Sequence, residues 1–169
     1  MSDEQDEEFV GTLQRFDVEI LITHPTMTPG DISAELGMDA HFCQCVGETR
    51  TTPKGRIIGG KYPDTRWRHS IGYETSEQHF ANEVKLLVDS LMPNKAFFAR
   101  VRETGGTAEV IVQFLGDGYF GDAVPWKTLA DMADLQLDFG IESFLVPQND
   151  HRRDEKLLPP RKKARPRLT

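Results

Sequence analysis

Arg15-Phe16-Asp17-Val18-Glu19-Ile20-Leu21-Ile22 is the stretch on which the fold reading turns. Phe16, Val18, Ile20 and Ile22 alternate with Arg15, Asp17, Glu19 and Leu21, the period of two expected of a strand with one face on a core. Downstream, Thr28-Pro29-Gly30-Asp31 has the form of a helix start. Thr28 is placed to cap, Pro29 suits the first helical position, Ile32 and Leu36 lie one turn apart, and Gly37 ends the helix. Upstream, residues 1–13 are acidic and poor in apolar side chains, so they are expected to be a disordered lead-in.

The rest of the chain extends this pattern. Residues 48–73 begin rich in Gly, Thr and Pro and end with Trp67, His69, Ile71 and Tyr73 alternating on one face; they predict a long β-excursion that turns around Gly59-Gly60 and returns as a strand. Ser76 is expected to open the main helix, with Phe80, Val84, Leu87 and Leu91 on one stripe. Pro93 interrupts that helix, and Phe97, Phe98 and Val101 continue it to Thr104, before Gly105-Gly106. Thr107 to Leu115 reads as a strand buried on both faces. A last helix opens at Pro125 and carries Leu129, Met132 and Leu135, and Leu137, Phe139, Ile141, Ser143 and Leu145 alternate in a closing strand. The order is β-α-β-β-α-β followed by α-β. The predicted class is α+β: a ferredoxin-like, split-βαβ antiparallel sheet backed by helices, with an appended C-terminal α-β unit. The expected organisation is one domain over residues 14–147, between the lead-in and a basic, Pro-rich disordered tail over residues 148–169.

With 169 residues, 38% of them hydrophobic and 28% charged, the chain has enough apolar side chains for one core. No apolar run approaches the roughly 20 residues of a membrane span, and nothing at the start reads as a signal peptide, so a cytoplasmic protein is expected. Cys43 and Cys45 are too close in sequence for an unstrained bridge, which excludes a disulfide scaffold. The net charge of −7 is unevenly spread. Residues 48–69 set six Lys/Arg against Glu48 and Asp64, residues 109–142 set seven acids against Lys127, and residues 150–169 hold eight Lys/Arg against three acids.

The opening strand with Thr28-Pro29 and Ile32-x-x-x-Leu36-Gly37, the Gly47-Glu48 turn, Trp67 in its strand, the Pro93-broken helix and the closing Leu137-Asp138-Phe139-Gly140-Ile141-Glu142 together resemble the bacterial domain of unknown function 4279 family, over roughly residues 14–147. The resemblance implies a small α+β domain without an assigned activity, and it brings no catalytic residues. Between Gly37 and Gly47 the family pattern favours a proline and an aromatic residue, where this chain has Ala40, His41, Cys43 and Cys45.

No catalytic set, metal site or cofactor site rises above the ordinary structural use of its residues. Gly116-Asp117-Gly118-Tyr119-Phe120-Gly121, with Asp138 further on, fits a dinucleotide fingerprint, but Asp117 and Asp122 oppose a pyrophosphate and no parallel βαβ repeat is expected. His41-x-Cys43-x-Cys45, with His24, lacks the second ligand pair of a structural zinc site. A nucleophilic Cys43 or Cys45 with His24, His41 or His69 is the least implausible enzyme, a thiol-dependent one, and ranks third. The candidate binding residues are cationic: Arg50, Arg56, Lys61, Arg66 and Arg68 in the excursion, and Arg161, Lys162, Lys163, Arg165 and Arg167 in the tail. The leading expectation is a non-enzymatic macromolecular binding module with a protein partner, an inhibitor or toxin-neutralising protein being one form of it. The alternative is a nucleic-acid-associated protein using the basic stretch and tail. Because only the tail is cationic and free of flanking structure, nucleic-acid binding is predicted to be weak, sequence-independent and steeply salt-dependent. Deleting residues 159–169 should abolish it, as measured by salt titrations on random oligonucleotides. Tight binding by the truncated chain would contradict this.

Overall fold

Four helices and seven strands make up the computed structural model, which describes residues 15–73, 79–115 and 121–144. In chain order they are β1 (Arg15–His24), α1 (Pro29–Leu36), β2 (Phe42–Gln44), β3 (Thr49–Thr51), β4 (Ile57–Lys61), β5 (Thr65–Tyr73), α2 (Phe80–Leu91), α3 (Lys95–Glu103), β6 (Thr107–Leu115), α4 (Trp126–Asp134) and β7 (Asp138–Phe144). The class is α+β. The lead-in, the tail, the Ser76 helix start and the loop Gly116–Phe120 lie outside the described residues. No helix among the described residues is long and apolar enough to cross a membrane.

The main sheet has the order β2-β5-β1-β6-β7. β1 is antiparallel to both neighbours, and β2 is antiparallel to β5. β1 and β2 therefore run parallel with β5 inserted between them, a split β-α-β around α1. Phe16, Val18, Ile20 and Ile22 of β1 are buried on the face that the helices cover, as the alternation predicts. Trp67 stands opposite Ile22 and is wholly buried, and its indole Nε1 donates to Ser33 Oγ at 2.9 Å, tying β5 to α1. Truncating such a ring to Ala costs about 3–5 kcal/mol. α1 begins with a reciprocal cap: Asp31 N donates to Thr28 Oγ1 at 3.2 Å and Thr28 N donates to Asp31 Oδ2 at 3.0 Å. α2 and α3 contribute Val84, Val88, Leu91, Phe98 and Val101 to the core, with the helix interrupted by a tight turn at Met92–Asn94 where Pro93 withdraws its N–H.

Three expectations need correction. The excursion turns at Thr52–Gly55, where Thr52 N donates to Arg56 O and Gly55 N to Thr52 O, both at 2.8 Å. Gly59 and Gly60 lie inside β4 with φ of 77° and 73°, and form a bulge: Thr49 pairs with Lys61 but Thr51 with Ile57, so the register shifts between them. Second, the sheet is not wholly antiparallel, because β6 and β7 run parallel through the α4 crossover. Third, Phe139 and Ile141 are exposed although they alternate with polar residues. They sit on an edge strand where no further strand among the described residues flanks them.

The start of α1 is fastened to the end of α3 by one buried histidine. His24 Nδ1 accepts from the amides of Met27 at 2.8 Å and Thr26 at 3.1 Å, so its proton is on Nε2, which donates to Thr104 Oγ1 at 2.7 Å. Thr104 Oγ1 passes a hydrogen bond to Arg100 O at 2.6 Å. The ring packs so close to Gly106 that a Cβ there would lie 2.5 Å from His24 Cδ2, which is why a glycine stands at the turn into β6. Burial holds the His24 pKa below its ordinary value. The unfolded chain therefore binds the extra proton more readily, and the stabilisation is complete above about pH 6.5 and lost as pH falls through the folded value. His24→Asn should remove this part of the acid-side loss and cost about 1–3 kcal/mol at neutral pH. Urea denaturation of both proteins across that range is the check.

Candidate binding groove and sheet face

β3 and β4 form an arm that leaves the sheet edge and is anchored at its base by backbone bonds. Gly47 N donates to Tyr62 O at 2.9 Å, Tyr62 N donates to Glu48 O at 3.0 Å, and Val46 N donates to the buried Thr65 Oγ1 at 3.0 Å. Between the arm and β2 lies an open groove of about 760 Å³ whose walls include Phe42, Cys43, Gln44, Arg50, Ile58 and Tyr62. It shares Gln44, Arg50 and Tyr62 with a second depression of about 330 Å³ that reaches Asp64 and Arg66. The Tyr62 hydroxyl is fixed against Thr51, accepting from its N at 3.3 Å and donating to its O at 3.4 Å. One wall thus sets Arg50 and the Tyr62 ring beside Glu48, and the other is the outer side of a short edge strand.

The sequence-predicted cations divide into two groups. Arg50 stands on β3, Arg56 follows the turn and Lys61 ends β4, all on the exposed arm. Among the described residues none of these three meets a carboxylate at ion-pair distance. Arg66 and Arg68 lie on β5, facing away from Trp67 and level with Gln44 and Phe42 of β2. Arg66 Nε is 3.5 Å from Asp64 Oδ1, and Arg68 Nε is 3.4 Å from Glu19 Oε1. Arg161, Lys162, Lys163, Arg165 and Arg167 lie outside the described residues.

Glu19 is the feature that sequence reading missed. It is buried on the central strand, on the face opposite the helices. Gln113 Nε2 reaches it at 3.4 Å and donates to Glu142 Oε2 at 2.7 Å, so a chain Arg68–Glu19–Gln113–Glu142 crosses four strands. Burial raises the Glu19 pKa, Arg68 opposes that rise, and Glu142 and Asp17 add to it. The signal was present in β6, where Ile111 and Leu115 occupy this same face and imply that it is not simply solvated.

The soft ligands do not converge. His41 Nδ1 accepts from Ser70 N at 2.9 Å, and His69 Nδ1 bonds Asp39 O at 2.7 Å. The two rings pack at 4.7 Å between centroids. Cys43 is exposed and Cys45 half-exposed. No three of the described His, Cys, Asp or Glu residues are grouped to hold a metal ion. The β6-α4-β7 crossover does supply a parallel β-α-β, but Asp138 opens β7 at the end remote from the loop after β6 and is held by Arg102 Nη2 at 2.7 Å. It is not placed to meet a ribose on that loop.

The family model described as domain of unknown function (DUF4279) matches residues 14–143. The chain belongs to this family. No curated protein and no solved structure matches it. The match covers every element from β1 into β7, so the groove and the Glu19 chain both lie inside the family domain.

For Glu19 the raised folded pKa means that the native state keeps its proton longer than the unfolded chain. Stability associated with this group is therefore present below about pH 4.5 and declines as pH rises from there through the folded value. Arg68→Met should push the Glu19 pKa further up, steepen that decline and cost about 1–2 kcal/mol at neutral pH, a figure reduced because Arg68 is itself about a third exposed. Glu19→Gln should flatten the profile. Chemical denaturation of the three proteins between acid and neutral pH checks both statements.

Proposed function

We propose that this chain is a non-enzymatic binding module that takes an extended, acidic segment of a partner protein in the groove between β2 and the arm. The observation that carries the reading is the groove's composition: Arg50, which meets no carboxylate among the described residues, for a partner's carboxylates, Tyr62 and Phe42 for apolar side chains, and the outer edge of β2, which no strand among the described residues pairs, for main-chain hydrogen bonds. Phe42 is 55% exposed and Ile58 46%, which leaves apolar surface at the rim for a partner to cover. An inhibitor or toxin-neutralising protein is one form such a module takes. A cytoplasmic setting agrees with the free, partly exposed thiols.

Nucleic acid is the weaker reading. Arg66 and Arg68 face Asp64 and Glu19 at ion-pair distance, and the Trp67 ring is buried, so this part of the basic stretch offers phosphates two engaged cations and bases no ring to stack on. A thiol enzyme is weaker still. Among the described residues no side chain hydrogen-bonds either cysteine, so no base is placed to activate it.

The test recovers tagged full-length chain from its native cells, with and without nuclease, beside Arg50→Glu/Tyr62→Ala and a Lys85→Glu control on the exposed face of α2. One stoichiometric protein partner, lost from the groove variant, kept by the control and indifferent to nuclease, is the expected result. That partner should also protect Cys43 from maleimide. Nuclease-sensitive recovery, or a partner unaffected by the groove variant, would overturn the reading.

A further inference from the structure

β7 is an edge strand of a kind that soluble proteins normally guard. It is seven residues long, its inner side pairs with β6, and its outer side meets no strand among the described residues. It carries no Pro, no Lys and no bulge, three of the usual devices against pairing with another chain, and its only charges are the carboxylates of Asp138 and Glu142. Phe139 and Ile141, level with Val110 and Val112, face the helix side of the sheet yet are 38% and 62% exposed. Phe144 on the other face is 50% exposed, and Trp126 and Leu129 of α4, the helix that leads into β7, are 80% and 44% exposed. The three side chains on β7 itself offer roughly 300 Å² of apolar surface. A backbone ladder and its polar flanks are then left to supply the remainder of the roughly 800 Å² per partner of a standard interface.

We propose that β7 is the interface of a symmetric dimer, in which two copies pair antiparallel about a twofold axis at Ile141 and join their five-stranded sheets. The strand's own sequence selects a second copy as the occupant. With the helices kept on one side of a continuous sheet, centring on Ile141 pairs all seven residues: Asp138 with Phe144, Phe139 with Ser143, Gly140 with Glu142, and Ile141 with itself. No carboxylate stands opposite another. The adjacent registers fail, since centring on Gly140 sets Asp138 against Glu142, and centring on Glu142 sets that residue against its own copy. Within each copy Arg102 holds Asp138 and Gln113 holds Glu142, which moderates repulsion between the acids that lie diagonally across the junction. This interface is independent of the groove, which lies at the opposite edge of the sheet.

Sedimentation of the full chain over a range of concentrations tests the proposal. A dimer is expected, strengthened by added salt as acid repulsion is screened. Ile141→Lys sets two ammonium groups face to face at the axis and should raise the dissociation constant roughly a hundredfold. Its side chain is exposed, so circular dichroism should match the parent, and thermal melting should match it at concentrations low enough for both to be monomeric, while Ile58→Lys on the arm should dimerise normally. In a Cys43→Ser/Cys45→Ser background, Ile141→Cys should oxidise to a covalent dimer, since directly opposed Cβ atoms lie about 4.5–5.5 Å apart, whereas Leu129→Cys should not. A chain that stays monomeric at its highest soluble concentration, a dimer that survives Ile141→Lys, or one that does not cross-link through Ile141→Cys would overturn the proposal.

Discussion

Glu19 and Ile20 are adjacent on the central strand, both buried, and make opposite demands on their surroundings. Ile20 needs only apolar contact, which the helix layer provides. Glu19 needs a cation and a donor, and these come from two other strands: Arg68 on β5 and Gln113 on β6. A slip of one residue on β1 would put the carboxylate among Val84, Val88 and Phe98 and turn the isoleucine outward. The alternation of β1 therefore fixes more than one face. It dictates which residues of both neighbouring strands must stand beside it, and so locks the register of the three central strands.

Much of this was legible in the chain. The strict alternation from Phe16 to Ile22, the Thr28 cap, the Pro93 break and the stripe from Phe80 to Leu91 each report a local rule, and each leads to the element it implies. Readings that depended on distant partners were not legible. Gly59-Gly60 resembles a hairpin turn, but Gly55 closes the turn, and the glycine pair absorbs two residues that β3 does not match. Phe139 and Ile141 have a core pattern and are nonetheless exposed, because burial depends on what flanks a strand and not on its own alternation. Glu19 looked like a solvated face residue for the same reason.

The candidate groove was partly readable. Its cations were visible as a run, yet their division was not. Arg50 is free to act because it sits on an arm carried away from the sheet, whereas Arg68, identical in chemistry, is consumed by a carboxylate far from it in sequence. Gln44 and Phe42 enter the groove because β2 pairs with β5 at Arg66 and Arg68, a pairing that a three-residue strand does not announce.

The sheet order also turns a segregation along the chain into one in space. β5 and the arm gather the basic residues 48–69 toward one edge, while β6, α4 and β7 gather Glu109, Asp131, Asp134, Asp138 and Glu142 toward the other. The two edges are four strand spacings apart, roughly 19 Å, against a screening length of about 8 Å at physiological salt. At that separation the acidic edge contributes little to the potential felt in the groove. The net charge of −7 consequently does not bar an acidic segment from the arm, where the local balance is positive. Where two acidic edges meet, the charges lie within that screening length, and the Arg102 contact to Asp138 and the Gln113 contact to Glu142 moderate a repulsion that added salt screens further.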